Sequence, residues 1–326
     1  DGRELPPSEP SAPARPPGVI RLTMLAAARL AIRPVQTVRF ANEMVRVLPT
    51  LAPSVGTLVG GVLGLNRGDG EVIATTAGRA PATPFNRPIT PHRRVAFRSV
   101  SLDAVKAVKN AYGVSVNDVV LAMCAGALRR WLTDHDALPE APLVAMIPVS
   151  VRDPASKGAL GNKVSAMLAM LPTNLHDPEK RLEAAHAATR AAKAQQAAIP
   201  QGLVDQISDF AVPALTARAA RVVFATGLLN RLPPFNLTIS NVPGPNVPVY
   251  LCGAKLLAHY PVSVITAGQG LNITLVGYLG RLHFGLTSCR ELVPDLGALA
   301  SYLVDELELL AKAAAPRPAG ATREAK

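Results

Sequence analysis

Histidine and serine side chains are the groups of this sequence that could act as a general base or a nucleophile near neutral pH. The six histidines are His92, His135, His176, His186, His259 and His283. No two of them are adjacent, and none has an aspartate four residues later. Ser240 and Ser288 have no adjacent histidine, although the partner of a catalytic serine can lie far away along the chain. His259 and His283 fall on predicted strands, so we interpret them as ordinary core or surface histidines.

The most specific segment of the sequence is Asn236-Leu-Thr-Ile-Ser-Asn-Val-Pro-Gly-Pro245. Here an apolar strand leads into Ser240 and Asn241, which precede a Pro-Gly-Pro turn. Pro243 has no N–H and a fixed φ, and Gly244 can adopt a positive φ, so this turn ends a strand sharply. The two polar residues at the strand end either line a cleft or only shape the exit of the strand.

Two further segments place polar groups at the ends of predicted elements. Ser115-x-x-Asp118 has the form of a capping box, so a purely structural role for Asp118 competes with a functional one. Asn117 falls in the first turn of the same helix, where its amide could face a cleft. Arg152 ends a buried strand, where arginine pairs with a carboxylate or backbone carbonyls, or else contacts phosphate or solvent.

The elements that must position these residues are predicted to be alternating strands and helices, followed by a run of adjacent strands. Strands are predicted over 95–100, 143–151 and 163–171, and helices after Ser101, after Ser115, over 177–198 and over 202–231. After Pro233 the pattern predicts strands over 235–242, 247–252, 260–266, 271–279 and 281–287, followed by a final helix over 294–311. This order predicts a mixed α/β layer structure.

Several of these segments, in this order, resemble the bacterial wax ester synthase/diacylglycerol acyltransferase family. The segment 236–245 matches its N-x-x-x-S-N-V-P-G-P signature, and 117–122 matches its N-D-V-x-L-A helix start. The segments 147–152 and 160–164 are also similar, as are the shorter runs Pro84-Phe-Asn86 and Leu292-Val-Pro-Asp295. Phe85 and Arg87 stand where the family commonly has Leu and Gly. The resemblance spans about residues 84–310.

The resemblance implies an α/β, chloramphenicol acetyltransferase-like coenzyme A-dependent acyltransferase fold, in which two lobes face each other across a channel. This chain would supply the second lobe plus linker helices. The implied domain division is a Pro-rich linker over 1–18, linker helices and a crossover loop over 19–93, a C-terminal acyltransferase lobe over 94–311, and a disordered tail over 312–326.

The implied activity moves an acyl group from acyl-CoA to diacylglycerol or a long-chain alcohol. The family's general base belongs to a His-His-x-x-x-Asp-Gly motif in the amino-terminal lobe, here termed the first lobe, and this sequence lacks that motif. The resemblance implies no cofactor beyond the acyl-CoA substrate, and no metal. It implies that Arg152, which would brace the motif's aspartate, Asn117 and Asp118 support catalysis, and that substrate contacts come from Ser240, Asn241, Pro243, Gly244 and Asn162.

The composition and net charge limit the classes of molecule that this protein could bind. The net charge is +11 at pH 7, but the arginines are scattered and aromatic residues make up only 4%, which argues against nucleic acid. The positive excess suits coenzyme A phosphates and an anionic surface, so we expect peripheral attachment to membranes or lipid droplets. The cysteine usage fits a reducing cytoplasm. Five arginines over 21–46 form either a solvated helix face or a contact with anionic lipid. An odd count of three cysteines without a C-x-x-C pair predicts neither a disulfide framework nor a zinc site.

Three functions remain open at this point. The chain is part of an acyltransferase that regains activity with the first lobe, or it is a non-catalytic lobe that binds acyl-CoA, lipid or a partner. A peptide-bond-forming condensation domain has the same fold, but the Asn-Val-Pro-Gly-Pro segment argues against it.

Overall fold

The computed structural model describes residues 80–150, 164–198 and 233–314, which belong to one compact unit. Several predictions fall outside these ranges. They are the linker 1–18, the basic segment 21–46, the helix 202–231, and the site residues Arg152 and Asn162.

Short-range capping signals set the ends of the first two helices. Strand β1 (Arg93–Ser101) leads into α1 (Leu102–Tyr112), whose N-cap Ser101 accepts a hydrogen bond from the Ala104 N–H at 3.3 Å. Helix α1 ends at Gly113, which has a φ of 67° that glycine adopts without steric cost. Helix α2 (Val116–Asp134) begins with the complete capping box of Ser115 and Asp118. The predicted helix boundaries are confirmed here.

The described strands form one six-stranded sheet and a two-stranded ladder. In chain order they are β1, β2 (Leu143–Ser150), β3 (Val164–Leu171), β4 (Leu237–Val242), β5 (Tyr250–Leu251), β6 (Ala254–Lys255), β7 (Leu271–Tyr278) and β8 (Arg281–Cys289). The sheet has the order β1-β8-β7-β4-β2-β3, and β5 pairs with β6. Strand β4 runs parallel to β2 and β7, whereas the other neighbours are antiparallel.

The helices and the apolar face of the sheet enclose the core. Helix α3 (Pro178–Ala198) begins where Asp177 accepts hydrogen bonds from two first-turn N–H groups, and α4 (Leu296–Ala314) ends the described chain. Helix α2 packs between α3 and α4 and is buried along most of its length. Alternate residues of the central strands, such as Ile239, Ile273 and Phe284, join this core. The predicted mixed α/β class is therefore confirmed.

The opposite face of the sheet is polar and is crossed by an extended segment, residues 257–265, here termed the strap. The strap passes so close to β8 that a Cβ at Gly285 would lie 1.7 Å from the Pro261 carbonyl oxygen. Ser263 contacts Thr274 of β7 through a hydroxyl–hydroxyl hydrogen bond of 2.8 Å. The predicted strand over 260–266 is wrong, because only Thr266 forms an isolated bridge, with Gln269. Alternating apolar and polar residues report an extended chain but not whether another strand lies beside it.

Three smaller predictions also change. The strand over 247–252 shortens to Tyr250–Leu251, and His259 lies in the strap rather than on a strand. The final helix runs from Leu296 to Ala314, so residues 312–314, assigned to the tail, are helical.

A buried ion pair ties α3 to α4 beneath α2. The Arg181 guanidinium donates to the Glu306 carboxylate and to the carbonyl oxygens of Leu175 (3.1 Å) and His176 (2.9 Å). Burial raises the pKa of Glu306 more than the neighbouring Arg181 lowers it. The pair occupies the space beside Gly126 of α2, where a Cβ would lie 2.0 Å from Glu306 Oε2.

We expect Gly126→Ala to lower the free energy of unfolding by about 2 kcal/mol, because a buried ion pair must move to admit one methyl group. Equilibrium urea unfolding followed by circular dichroism measures the change. Gly297→Ala in α4 is the matched control, since nothing lies within 4 Å of its added Cβ. Equal stability changes for both variants would contradict this account.

No single helix in 80–150, 164–198 or 233–314 is long and apolar enough to cross a bilayer; α1 and α2 would reach the required length only together, and they are bent by 101°. The same ranges contain no group of three His, Cys, Asp or Glu side chains arranged to hold a metal ion.

Candidate functional site at the carboxyl end of the parallel strands

The segment 236–245 is anchored by a buried pair of asparagines. The Asn236 side chain takes the place of one backbone hydrogen-bond acceptor between β4 and β2, because the Val144 N–H donates to its Oδ1 at 2.8 Å. The backbone N–H of Asn236 donates to the Val144 carbonyl at 2.7 Å. Its Nδ2 donates to the Pro81 carbonyl (2.7 Å) and to Asn86 Oδ1 (2.8 Å). The first residue of the motif therefore has a structural role.

Asn86 extends this anchor to two more segments. Its Nδ2 donates to the carbonyl oxygens of Gly268 (2.7 Å) and Asn236 (3.2 Å), and its Oδ1 accepts from Thr83. The loop over 80–92 is thus fixed against the sheet, although the sequence assigns it to the crossover region. The similarity of Pro84-Phe-Asn86 to the family could have indicated this role.

Strand alternation separates Ser240 from Asn241, which the sequence treats as one polar pair. Ser240 has the parity of Thr238, which accepts a hydrogen bond from Gln269 on the strap side of the sheet. Asn241 has the parity of the core residues Leu237 and Ile239, so it lies on the helix side, and it is exposed at the strand end.

Gly244 lets the turn after β4 return onto β7. A Cβ at this position would lie 1.9 Å from the carbonyl oxygen of Gly277, so any larger residue would push the turn away. Pro243 is exposed beside it. The Pro-Gly-Pro turn is therefore held by a backbone contact, and the Asn241 side chain beside it is exposed on the helix side.

Asp118 forms the second part of the site. Its carboxylate is buried, accepts from the Ser115 N–H at 2.9 Å and pairs with His186 Nδ1 of α3 at 2.9 Å. Burial raises the pKa of Asp118, but the hydrogen bonds from His186, Ser115 and Thr189 outweigh burial, so the pKa lies below its ordinary value. The sequence reveals the capping box, but it gives no signal for His186, whose contact depends on how α3 packs.

Because the folded-state pKa of Asp118 is lowered, its ionised form stabilises the protein above its ordinary pKa of 3.8, and this contribution is lost as the pH falls through the folded-state pKa. We expect Asp118→Asn to lower the free energy of unfolding by about 1–2 kcal/mol at pH 7, with a smaller difference below pH 4. Urea unfolding from pH 3 to pH 7 measures this. The exposed Asp103→Asn is the matched control, and a pH-independent difference would refute the assignment.

Topology brings Asn117 and Asn241 to the same end of the unit. Strands β2 and β4 are parallel, so their carboxyl ends, Ser150 and Val242, lie along one edge of the sheet, where these strands end. Near the end of α2, Arg129 donates to the carbonyls of Thr173 and Asn174. These residues follow β3, which is antiparallel to β2 and ends at the opposite edge. Helix α2 must therefore begin near the first edge, where its half-buried Asn117 lies. Binding sites of α/β sheets commonly form at this edge.

One further hydroxyl–imidazole pair lies under the strap. His283 Nδ1 is 2.5 Å from Ser99 Oγ, and the Tyr260 ring meets the imidazole edge-on. Burial is the main cause of a lowered pKa of His283, which keeps this imidazole neutral near pH 7. The interpretation of His283 as a core histidine is confirmed, since it is buried and covered by the strap.

Two family models match the sequence. The model described as wax ester synthase/diacylglycerol acyltransferase catalytic domain matches residues 3–120, and the model described as WS/DGAT C-terminal domain matches residues 160–311. The boundary of the first match falls inside α2, so the two models divide the chain differently from the predicted lobe over 94–311.

Known proteins similar to this chain each match about 70% of it. A putative diacylglycerol O-acyltransferase of Mycobacterium tuberculosis is 47% identical over 72% of this chain and 51% of its own length. An O-acyltransferase of Acinetobacter baylyi is 38% identical over 71% of the chain and 49% of its own. The solved wax ester synthase/diacylglycerol acyltransferase of Marinobacter aquaeolei VT8 is 38% identical, with a TM-score of 0.58 over 72% of this chain and 52% of that one. The chain thus spans about half the length of these relatives.

Proposed function

Because the chain belongs to the wax ester synthase/diacylglycerol acyltransferase family, we propose that it is the C-terminal part of an O-acyltransferase that uses acyl-CoA. The acceptor is diacylglycerol or a long-chain alcohol, and the product is a triacylglycerol or a wax ester. The observation that carries the proposal is the placement of Asn241 and Asn117 at one end of the unit, with the turn after Asn241 fixed by the close approach of Gly244 to Gly277.

The proposal divides the chemistry between two lobes. A histidine of the first lobe takes the proton of the acceptor hydroxyl, the hydroxyl oxygen attacks the thioester carbonyl, and coenzyme A leaves with a proton returned to its sulfur. The asparagine amides of this chain orient the reacting groups, and Arg152 braces the aspartate of the first-lobe motif. Ser240, Pro243, Gly244 and Asn162 complete the proposed substrate contacts, although Ser240 faces the strap side.

The net charge of +11 supports a role in attracting the phosphates of coenzyme A and an anionic membrane or lipid-droplet surface. Attachment at such a surface would place the enzyme beside its lipid acceptor, in keeping with the proposed cytoplasmic, peripheral location. No cofactor is needed beyond acyl-CoA, which is a substrate.

The decisive experiment incubates the chain with labelled palmitoyl-CoA and diolein, alone and mixed with a separately produced first lobe that carries the His-His-x-x-x-Asp-Gly motif. We expect labelled triacylglycerol from the mixture only. In the mixture, Asn241→Ala and Asn117→Ala should each lower kcat/KM at least tenfold, about 1.4 kcal/mol of transition-state stabilisation. Asn110→Ala, an exposed asparagine on α1, should leave it unchanged.

A second candidate, left open by the sequence, is a lobe that binds acyl-CoA or lipid without catalysis. Binding of acyl-CoA by the chain, with no product from the mixture, would support this candidate over the first. Product from the chain alone would contradict both accounts of the general base and direct attention to its six histidines.

A further inference from the structure

Four exposed arginines lie together where β1 begins and β8 ends, and this group is here termed the arginine edge. Its members are Arg87, Arg93, Arg94 and Arg290. Arg93 lies directly opposite Cys289 in the antiparallel ladder of β1 and β8. One residue further, the Arg290 N–H donates to the His92 carbonyl at 3.2 Å. Strand pairing therefore brings arginines that are almost 200 positions apart in the sequence to one end of the sheet.

The loop before β1 adds Arg87 to this group. The Gly270 N–H donates to the Phe85 carbonyl at 2.6 Å, and the Gly270 carbonyl accepts from the Cys289 N–H at 3.0 Å. Arg87 follows Phe85 by two residues, so it is held beside the end of β8.

The arginine edge carries positive charge that its surroundings do not neutralise. Glu291 is the only acidic residue in β1, in β8, in the loop before β1 or in the five residues after β8. It pairs with Arg290 at 3.3 Å. Within the described residues, Arg87, Arg93 and Arg94 form no ion pair. Such a surface attracts an anionic partner.

The arrangement of the arginines fits a layer of phosphates better than a single phosphate group. Arg93 and Arg94 are neighbours on an edge strand, so their side chains leave opposite faces of the sheet. Guanidinium groups that diverge in this way do not converge on one phosphate, but both reach a plane of lipid headgroups. The only aromatic ring in the two loops is that of Phe85, which is buried, so the loops offer no ring for stacking with a nucleic-acid base.

We propose that the arginine edge is the surface through which the protein attaches to an anionic phospholipid layer. The inference rests on the proposed function, in which the enzyme works beside its lipid acceptor, and it assigns that attachment to particular residues. Each arginine close to an anionic surface strengthens binding roughly fivefold. Salt at about 0.5 M weakens the attraction, because it shortens the distance over which exposed charges act.

The test measures binding of the full chain to phosphatidylcholine vesicles with and without phosphatidylglycerol, by co-sedimentation at low and high salt. We expect salt-sensitive binding that requires phosphatidylglycerol. The variant Arg87→Gln/Arg94→Gln should bind at least tenfold more weakly, because it removes two charges. Arg190→Gln/Lys193→Gln is the matched control and should bind like the parent chain. It removes the same charge from exposed positions of α3, which packs on β3 at the opposite edge of the sheet.

A charge-conserving variant separates attraction to a charged layer from recognition of one phosphate group. Lysine keeps the charge of arginine but not its two-pronged donor geometry, so Arg87→Lys/Arg94→Lys should bind vesicles like the parent chain. A loss as large as that of the glutamine variant would overturn the proposal in favour of a site for a single phosphate. So would a glutamine variant that loses affinity for coenzyme A in calorimetry and still binds vesicles.

Equal vesicle binding by the parent chain and the glutamine variant would also refute the proposal and direct attention to the basic segment 21–46. If the variant lost affinity only for the first lobe or for a single-stranded oligonucleotide, the arginine edge would belong to that partner instead. Vesicle binding requires neither the first lobe nor turnover, so it is judged separately from the proposed function. Arginine-dependent binding without product from the mixture contradicts the proposed function alone. Product from the mixture, together with unchanged vesicle binding by the variant, contradicts the lipid surface alone.

Discussion

Replacement of Asn236 by alanine is expected to lower the free energy of unfolding by about 4 kcal/mol, because the buried Val144 N–H loses its acceptor while the Pro81 carbonyl and Asn86 Oδ1 each lose a donor. The Val144 N–H, the Pro81 carbonyl and Asn86 Oδ1 all bond to this one side chain, which is fully buried. Equilibrium urea unfolding of the full chain measures the loss.

Asn241→Ala is the control for this prediction, since it removes the same amide five residues later in the same motif. Asn241 is exposed, so its loss should change stability by less than about 0.5 kcal/mol. The pair of variants separates the structural asparagine of the motif from the one proposed to meet substrate. If both variants were equally unstable, the motif would act as a structural unit throughout.

Gly285→Ala is expected to lift the strap from the sheet and to lower the free energy of unfolding by about 3 kcal/mol. The added Cβ would lie 1.7 Å from the Pro261 carbonyl oxygen and 2.8 Å from its carbon, and backbone cannot rotate away as a side chain end can. The contacts of Tyr260 with Phe97 and His283 would then be lost. Limited proteolysis within 257–265 and urea unfolding measure the two effects.

Gly277→Ala provides the comparison in the same sheet. Its added Cβ would have Leu282 as its nearest neighbour at 3.9 Å, an ordinary van der Waals distance, so stability should change by less than about 1 kcal/mol. A strap that remains resistant to proteolysis in Gly285→Ala would mean that β8, rather than the strap, yields to the added methyl group.

Sequence signals that act over a few residues, such as helix caps, predicted the corresponding parts of the fold correctly. Ser101, Gly113 and Ser115 set helix ends through their own backbone and side chains, and the structure confirms each boundary. The strap shows the limit of such signals, because its alternation predicts extended chain equally well with or without a neighbouring strand. Pairing depends on residues far away in sequence, which a single sequence does not reveal.

The same distinction between local signals and long-range packing applies to the candidate site. The resemblance indicated Asn117, Asp118 and Asn241 by their motifs, and the sequence predicted the capping box of Asp118 but not its contact with His186. Strand alternation places Ser240 and Asn241 on opposite faces, but which of the two lies on the helix side depends on how the sheet packs. The roles of Arg152 and Asn162 stay predictions, because both lie outside the described residues.

The position of β1 at the sheet edge has a consequence for how the protein is made. Among the described strands β1 pairs only with β8, and Ser99 meets His283, 184 positions later in the sequence. During synthesis β1, followed by α1, must wait until β8 has left the ribosome before it finds its partner, and such long-range pairing is slow. A nascent chain would expose apolar helix faces throughout that interval. Production at low temperature, with slower translation and abundant chaperones, should therefore increase the soluble yield.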